Sequence, residues 1–175
     1  MENKKIKILE KNEKKIIKEK PKKKRVCTMN ENWLKAIKEL EELDEKTMQN
    51  FMEQEEKSLK KTILSQIKAK IQGYASQDKE KKLYCQEKFV TLNDVITLLK
   101  ESNHICYYCK EETQIMYEYV REPKQWTLER LDNSFGHNND NVVISCLSCN
   151  IRRRTMASEK YVQTKQMAKI VKLDH

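Results

Sequence analysis

Two Cys-x-x-Cys pairs constrain the fold of this chain more than any other feature of its sequence. Cys106 and Cys109 form the first pair, Cys146 and Cys149 form the second, and 36 residues (110–145) separate them. A Cys-x-x-Cys turn can present two thiolates to one ion, and two such turns supply the four tetrahedral sulfur ligands that zinc prefers at a closed structural site. The segment between the pairs is longer than a simple zinc ribbon needs. The spacing therefore predicts a structural Zn²⁺ that fastens a β-hairpin and a wide loop.

The cysteines and the hydropathy of the chain indicate an intracellular setting. The N-terminus lacks the apolar region of a secretory signal, and no apolar run approaches the roughly 18 residues that a membrane span requires. We therefore expect six reduced thiols and no membrane partner. Cys27 and Cys85 stand apart from the two pairs. Disulfide bonding of the pairs is the alternative, and it would require an oxidising compartment.

The positive charge of the chain is concentrated at its N-terminus. Residues 1–25 contain eleven Lys and one Arg against four Glu, a net charge of +8 in a chain whose total is +9. Too few apolar side chains occur there to form a core, so we expect residues 1–29 to be a disordered basic tail that binds a polyanion such as DNA. The sequence Pro-Lys-Lys-Lys-Arg-Val at 21–26 resembles a nuclear import signal. The alternative is a solvated arm whose Lys22, Lys23, Lys24 and Arg25 touch phosphate without sequence preference.

Residues 30–82 predict a helical arm. Apolar side chains recur there at helical spacing, Asn30 can cap the start, and Gly73 is the expected end. The pattern lapses at residues 53–57, where a break is expected. The arm is a candidate surface for a homodimer or for another partner, and the alternative is a helix pair that packs on the domain at 83–175. Thr91 and Asp94 then form a capping-box pattern that predicts a further helix.

The segment between the cysteine pairs predicts extended structure and one loop. Residues 113–122 alternate enough to suggest a strand or an extended stretch. Residues 125–131 predict the first strand of a hairpin, residues 133–141 a polar loop with Gly136 at its turn, and residues 142–144 the second strand. Asn150 then opens a last helix. Together with the helical arm, these elements predict an α+β fold.

Three short motifs in this region carry a resemblance to a known family. They are Trp-Thr-Leu-Glu-Arg-Leu-Asp-Asn at 126–133, Asn-Val-Val at 141–143 and Cys-x-x-Cys-Asn at 146–150. They resemble HNH endonucleases, and most of all the HNH proteins encoded by large DNA viruses. The resemblance covers roughly residues 83–155. It implies a zinc-stapled ββα-metal domain of the treble-clef type, within residues 83–175, that hydrolyses DNA phosphodiester bonds with Mg²⁺ or Mn²⁺.

The resemblance also implies roles for three residues. Glu129 matches the acidic metal position, Asn141 matches the middle Asn that orients the active loop, and Asn150 matches the late metal-ligand position. The amide oxygen of Asn150 would suit Mg²⁺ or Mn²⁺. Each residue has a structural alternative: Glu129 as an exposed carboxylate of the strand, Asn141 as a turn residue, and Asn150 as a helix cap.

Arg130 is the position at which the chain departs from the usual pattern. The family usually carries a His there as general base, whereas an Arg stays protonated near neutral pH. The related viral pattern also has Arg at this place, followed by an Asp-Asn pair that Asp132 and Asn133 reproduce. Arg130 is therefore a candidate for bidentate phosphate binding. The candidate base is His137 in the loop, Asp132 is the alternative as base or metal ligand, and His137 as a loop residue without catalytic role stays open.

Three functions remain open from the sequence. They are a metal-dependent DNA endonuclease, a catalytically degraded HNH-fold zinc module that binds nucleic acid without cleaving it, and a packaging factor that uses the tail and the arm. Arg152, Arg153 and Arg154 are candidates for contact with the DNA backbone, although neighbours on a helix lie about 100° apart and only one or two can face it. RNA stays open as a partner. The import signal would take the protein to the nucleus, and the viral resemblance would place it in an infected cell or a virion.

Overall fold

The computed structural model describes residues 22–29, 31–41 and 58–167. Within these ranges five α-helices and one two-stranded antiparallel sheet are present, which confirms the expected mixture of α and β structure. After a 3-10 turn at Val26–Met29 the elements are α1 (Glu31–Glu41), α2 (Ser58–Glu80), α3 (Leu92–Glu101), β1 (Trp126–Arg130), β2 (Val142–Cys146), α4 (Leu147–Arg153) and α5 (Ser158–Met167). The predicted cap at Asn30, the break at 53–57 and the tail at 1–21 lie outside the described residues.

The sheet is the predicted hairpin, and helices cover both of its faces. β1 and β2 pair antiparallel with Trp126 opposite Cys146 and Arg130 opposite Val142. Side chains of a strand alternate between faces, so Trp126 and Leu128 point one way while Thr127 and Glu129 point the other. The first face packs on the apolar core, and the second lies against α4. Burial of both faces explains why four consecutive residues of β1 are buried.

The core joins the predicted arm to the hairpin. α2 contributes buried apolar side chains at four-residue spacing, which places them on one stripe of the helix. The stripe packs with side chains of α1, α3 and the hairpin in one cluster, which contains Ala36, Leu59, Ile63, Ile67, Val90, Val95, Leu99, Trp126, Leu128, Val142 and Ile144. This arrangement agrees with the interpretation of residues 30–82 as a helix pair that packs on the domain that follows.

Two local predictions about helix ends have different outcomes. At the start of α3, Thr91 and Asp94 form the predicted capping box, with the Thr91 hydroxyl accepting from the Asp94 amide at 3.2 Å. The predicted helix end at Gly73 is wrong, because α2 continues to Glu80. A glycine inside a helix costs only about 1 kcal/mol, and contacts made by the next two turns outweigh that cost.

Residues 22–29 differ from the predicted disordered tail. Lys24 pairs with Tyr119 in an isolated antiparallel bridge, and the Val120 amide donates to the carbonyl of Lys23 at 2.9 Å. The Arg25 guanidinium lies 4.1 Å from the ring centroid of Tyr117 and donates to the Tyr117 carbonyl at 3.0 Å. The end of the basic segment is therefore packed against residues 117–120. The stretch 113–122, expected to be a strand or extended, forms only isolated bridges.

None of the helices in the described ranges combines the length and the apolar character that a bilayer crossing requires.

Candidate metal centre and cationic cleft

Four thiols meet beside the end of β2. The sulfur atoms of Cys106, Cys109, Cys146 and Cys149 all lie within 4.8 Å of one another, and Cys109 Sγ is 3.9 Å from Cys146 Sγ. Zinc–sulfur bonds of about 2.3 Å in a tetrahedron put the sulfur atoms about 3.8 Å apart. All four cysteines are free of disulfides. The group therefore fits a structural metal ion such as zinc, as the spacing predicts.

The chemistry of the four thiols also fits a cation. Hydrogen bonds from Cys146 and Cys149 lower the pKa of Cys106, so one thiolate forms readily. Hydrogen bonding to Cys106 raises the pKa of Cys146 to about 11 and raises the pKa of Cys149 further, and repulsion from a negative charge on Cys106 adds to both shifts. A divalent ion would remove this repulsion and allow all four sulfurs to ionise.

Surrounding groups hold the cysteines in place. The Cys146 amide donates to Cys106 Sγ at 3.3 Å, and the Cys149 amide donates to Cys146 Sγ at 3.4 Å. Tyr108 and Tyr161 pack edge to face with ring centroids 5.0 Å apart and join the buried cluster around the thiols. α5 thus covers the four-cysteine group, which brings the turn at 106–109 to the junction of β2 and α4.

A cleft of about 550 Å³ lies between α2, β1, the 131–141 loop and α4. Four cationic side chains line it, and the lining acid is Glu129. The complete lining is Lys70, Gly73, Tyr74, Gln77, Lys81, Gln125, Thr127, Leu128, Glu129, Arg130, Asn133, His137, Leu147, Asn150, Ile151 and Arg154. Its charge favours an anionic ligand. Three of the five residues predicted to be catalytic line this one cleft.

His137 reaches the cleft from the loop, and its ring is fixed by α2. Its Nδ1 lies 2.9 Å from Asp78 Oδ1, and its backbone amide donates to Asp78 Oδ2 at 2.6 Å. The Tyr74 ring lies 4.4 Å from the imidazole, centroid to centroid. Burial lowers the pKa of His137, while the Asp78 carboxylate opposes that decrease. The imidazole is therefore neutral near pH 7, and Nε2 is the ring nitrogen left for chemistry in the cleft.

Asn150 is the second predicted residue in the cleft, and its amide orientation follows from its partners. Its Nδ2 donates to Thr127 Oγ1 at 3.2 Å and to the Leu128 carbonyl at 3.4 Å. A carbonyl accepts only, so the amide nitrogen must face the strand. The amide oxygen is consequently turned away from β1 and is available as a ligand atom. Since Cys146 is the N-cap of α4, Asn150 does not cap this helix.

Asn141 organises the loop and does not line the cleft. Its Oδ1 accepts from the Asp132 amide at 2.9 Å, and its Nδ2 donates to the carbonyls of Asp132 and Gly136 at 2.9 and 3.1 Å. The side chain is buried. These three bonds join both ends of the loop to its turn, which is the orienting part that the resemblance implies for this residue.

Glu129 is buried and paired with an arginine. The Arg153 Nε donates to Glu129 Oε1, and the Arg153 Nη2 donates to the Arg130 carbonyl at 2.6 Å and to Asn133 Oδ1 at 2.9 Å. Burial raises the pKa of Glu129, and the Arg153 guanidinium opposes that rise. The interpretation of Glu129 as an exposed carboxylate is wrong, since the residue is 6% exposed.

Arg153 requires a correction to the predicted DNA contacts. Its residue exposure is 2%, and its guanidinium is directed into the protein. Arg153 therefore cannot meet a DNA backbone in this conformation, whereas Arg152 and Arg154 are exposed and Arg154 also lines the cleft. Lys22, Lys23 and Lys24 are exposed, and Arg25 is half-buried.

Arg130 and Asp132 take different positions in the loop. Arg130 lines the cleft, and its Nη1 donates to the carbonyls of Phe135 and Asn133 at 3.1 and 3.4 Å. Asp132 is exposed, and its Oδ1 accepts from the Ser134 amide at 2.8 Å. That bond lowers the pKa of Asp132, which makes the carboxylate a weaker base. Of the two candidate bases, His137 lines the cleft and Asp132 does not.

Sequence reasoning missed two residues that shape the cleft. Asp78 fixes His137, and Lys70 forms part of the cleft wall, where its Nζ donates to Gln125 Oε1 at 3.2 Å and to the Trp126 carbonyl. Burial and the nearby Arg25 lower the pKa of Lys70 to about 7. Both residues lie on α2, in the segment interpreted as an arm.

Comparisons of the chain with models of protein families, with curated proteins and with solved structures found no match.

Proposed function

We propose that this protein is a divalent-metal-dependent DNA endonuclease that uses an HNH-type site in the cationic cleft. One observation carries the proposal: His137 and Asn150 reach the same cleft from the loop and from α4, beside a hairpin whose second strand ends at a four-cysteine group. As part of this proposal, the hairpin, α4 and the four-cysteine group form a treble-clef unit. A neutral imidazole, an available amide oxygen and several cations are the groups that phosphodiester hydrolysis needs.

The proposed division of work follows from the position of each side chain. His137 takes a proton from the attacking water at Nε2, because Nδ1 is bound to Asp78. Lys81, Arg130 and Arg154 line the cleft and hold the scissile phosphate and its neighbours. Asn141 keeps the loop in the shape that brings His137 to the cleft.

The oxygen ligands in the cleft fit a sparse Mg²⁺ or Mn²⁺ site. Asn150 offers Oδ1, and Glu129 offers the carboxylate oxygen that Arg153 Nε does not occupy. Magnesium is commonly held by one or two protein oxygens, with waters and substrate phosphate completing its coordination. When bound, the ion would neutralise charge that develops on the departing oxygen.

A second candidate function is a zinc module that binds nucleic acid without cleaving it. The Glu129–Arg153 ion pair favours this candidate, because the guanidinium neutralises the one acid in the cleft that could attract a divalent ion. Arg130 at the usual base position also favours it. The cationic cleft serves both functions equally.

A supercoiled-plasmid cleavage assay with Mg²⁺ and with Mn²⁺ separates the two functions. The parent chain should nick the plasmid only when a divalent ion is present. His137→Ala should lower the rate by about 10²–10⁴-fold, the range that a general base contributes. Asn150→Ala should abolish the metal-dependent nicking. Asn139→Ala changes an exposed residue of the same loop, is the matched control and should leave the rate unchanged.

The outcomes have distinct meanings. Loss of nicking in Asn150→Ala alone would retain the nuclease and refute His137 as its base. Absence of cleavage in every form, with plasmid binding that weakens as salt rises, would refute the nuclease and favour the binding module.

A further inference from the structure

Asp78 is a fully buried acid on α2, outside the hairpin of β1 and β2 and the helix α4. Its residue exposure is 0%, it is the third residue from the end of α2, and it precedes His137 by 59 positions. Both of its carboxylate oxygens face the same residue: Oδ2 accepts from the His137 amide at 2.6 Å, and Oδ1 lies 2.9 Å from its Nδ1. A buried carboxylate is costly unless its partners are well placed. Asp78 meets that requirement through His137.

The backbone of the 131–141 loop packs directly against this carboxylate. A Cβ at Gly136 would lie 2.8 Å from Asp78 Oδ2 and 2.5 Å from the Leu83 carbonyl, which is closer than real Cβ contacts. The carbonyl of Asp78 itself accepts from the Leu83 amide at 2.8 Å, so the end of α2 is fixed as well. The glycine therefore allows the backbone before His137 to approach the carboxylate.

The contact determines which nitrogen of the imidazole carries the proton. An ionised carboxylate only accepts hydrogen bonds, so Nδ1 must carry the hydrogen that lies between it and Oδ1. In the neutral ring Nε2 then has the lone pair that a general base needs. The carboxylate charge also opposes the effect of burial on the pKa of His137.

We propose that Asp78 is the positioning residue for His137, fixing the Nδ1–H tautomer and aiming Nε2 into the cleft, so that the active unit includes α2 as well as the hairpin and α4. This inference rests on the proposed function for its catalytic meaning, because His137 has to be the base. The charged and titratable groups that face the imidazole are Asp78 and Tyr74 from α2, Lys81 after that helix, and Arg130 from β1. Asp78 is the anionic member of this set, and burial raises the pKa of Tyr74, so its hydroxyl stays neutral.

Asp78→Asn is the informative change, since an amide has one acceptor oxygen where the carboxylate has two. If that oxygen serves the His137 amide, the NH₂ group faces Nδ1 and forces the proton to Nε2. Asp140→Asn makes the same substitution at an exposed position near the end of the same loop and is the matched control.

Nitrogen-15 NMR of the imidazoles tests the inference without any substrate. The chain has three His, so their signals can be assigned with His104→Gln and His175→Gln. The parent and Asp140→Asn should show His137 as the Nδ1–H tautomer. Asp78→Asn should shift His137 toward Nε2–H and lower its titration midpoint further. A parent His137 in the Nε2–H form, or an unchanged tautomer in a folded Asp78→Asn, would overturn the inference even if other variants fail to fold.

The cleavage assay supplies the catalytic readout. Asp78→Asn should lower kcat by about 10²-fold or more with little change in KM, because phosphate-binding groups are untouched. A parent that shows the Nδ1–H tautomer but never cleaves DNA would refute the proposed function while the imidazole contact stands. A parent that cleaves, with kcat unchanged in Asp78→Asn, would refute the positioning role alone.

Discussion

Replacing Arg153 with Met tests whether the buried ion pair supports the fold. Arg153 Nε donates to Glu129, Nη2 donates to the carbonyl of Arg130 and to Asn133 Oδ1, and Nη1 donates to the Met156 carbonyl at 2.5 Å. Methionine keeps an unbranched apolar stem of similar width and removes every donor. The change therefore leaves the Glu129 carboxylate in its buried position without a counter-charge.

The expected loss of unfolding free energy is about 3–5 kcal/mol, the cost of removing one partner from a buried pair. The side chains of Arg153 and Glu129 are 1% and 7% exposed, so solvent cannot replace the lost partner fully. The other three acceptors lie nearer the surface, where water can reach them, and they add little beyond this range. A total near 4 kcal/mol is a large share of the 5–15 kcal/mol that stabilises a typical domain.

The loss of unfolding free energy in Arg153→Met depends on pH, and the pKa of Glu129 determines the direction of that dependence. Burial raises the pKa of Glu129, and removal of the opposing guanidinium raises it further. A raised pKa in the folded state means that the folded chain binds more protons than the unfolded chain above about pH 4.3. The unfolding free energy of Arg153→Met should therefore fall as pH rises from that value through the folded pKa. Its deficit should be larger at about pH 7.5 than at about pH 5.

Urea unfolding of zinc-loaded protein at both pH values measures the effect. Arg152→Met is the matched control, because it makes the same change at an exposed site of the same helix, and it should lie within about 0.5 kcal/mol of the parent. The double variant Glu129→Gln with Arg153→Met should be more stable than Arg153→Met alone. A loss below about 1 kcal/mol for Arg153→Met, or a deficit that does not change with pH, would refute the reasoning.

Further expectations concern the metal group, the two glycines and the buried lysine. Cys149→Ser should lower the bound zinc, measured by atomic absorption, and a folded chain that keeps full stability without zinc would contradict a structural metal. Gly136→Ala should lower the unfolding free energy by about 1–3 kcal/mol, because its Cβ would lie 2.5 Å from the Leu83 carbonyl. Gly73→Ala should raise it by about 0.5–1 kcal/mol, since its Cβ meets nothing within 4 Å and alanine favours helix; equal effects at both glycines would contradict this contrast. The parent should become more stable between about pH 7 and pH 10.5, because the lowered pKa of Lys70 makes the unfolded chain bind more protons than the folded chain there, and Lys70→Met should remove this rise. Thermal midpoints of the parent and of Lys70→Met, measured across this pH range, check the prediction. Parallel curves for the two proteins would refute it.

The features that the sequence predicted well are those with local signals. The cysteine spacing predicted which thiols meet, and the predicted strands 125–131 and 142–144 agree with β1 and β2 to within two residues at each end. Thr91 and Asp94 formed their capping box because both partners lie within one helical turn. Each of these interactions is decided by residues close in sequence or by the strong preference of one metal.

The burial of Arg153 had a signal that the run of three arginines concealed. Asn150 faces β1, and residues three apart share one face of a helix, so Arg153 must also face the sheet. Arg152 is rotated by about 100° from Arg153 and reaches solvent, and Arg154 follows the end of α4 with a positive φ and is also exposed. The rotation shows only that the three arginines cannot all face one way, and the three-residue spacing from Asn150 identifies Arg153 as the one that faces inward.

The role of Asp78 was lost because the helix was ended too early. Ile67, Tyr74 and Asp78 follow one another at seven and four residues, the spacing of a single helical face, and Ile67 begins this run in the buried core. An acid that continues an apolar stripe must find a buried partner, so the extended stripe predicts one contact that the shortened helix does not. The partner lies 59 residues away and no local pattern identifies it. His137 is the partner because Gly136, which has no Cβ, lets the loop backbone approach the Asp78 carboxylate closely. The neutral imidazole of the next residue then meets that carboxylate.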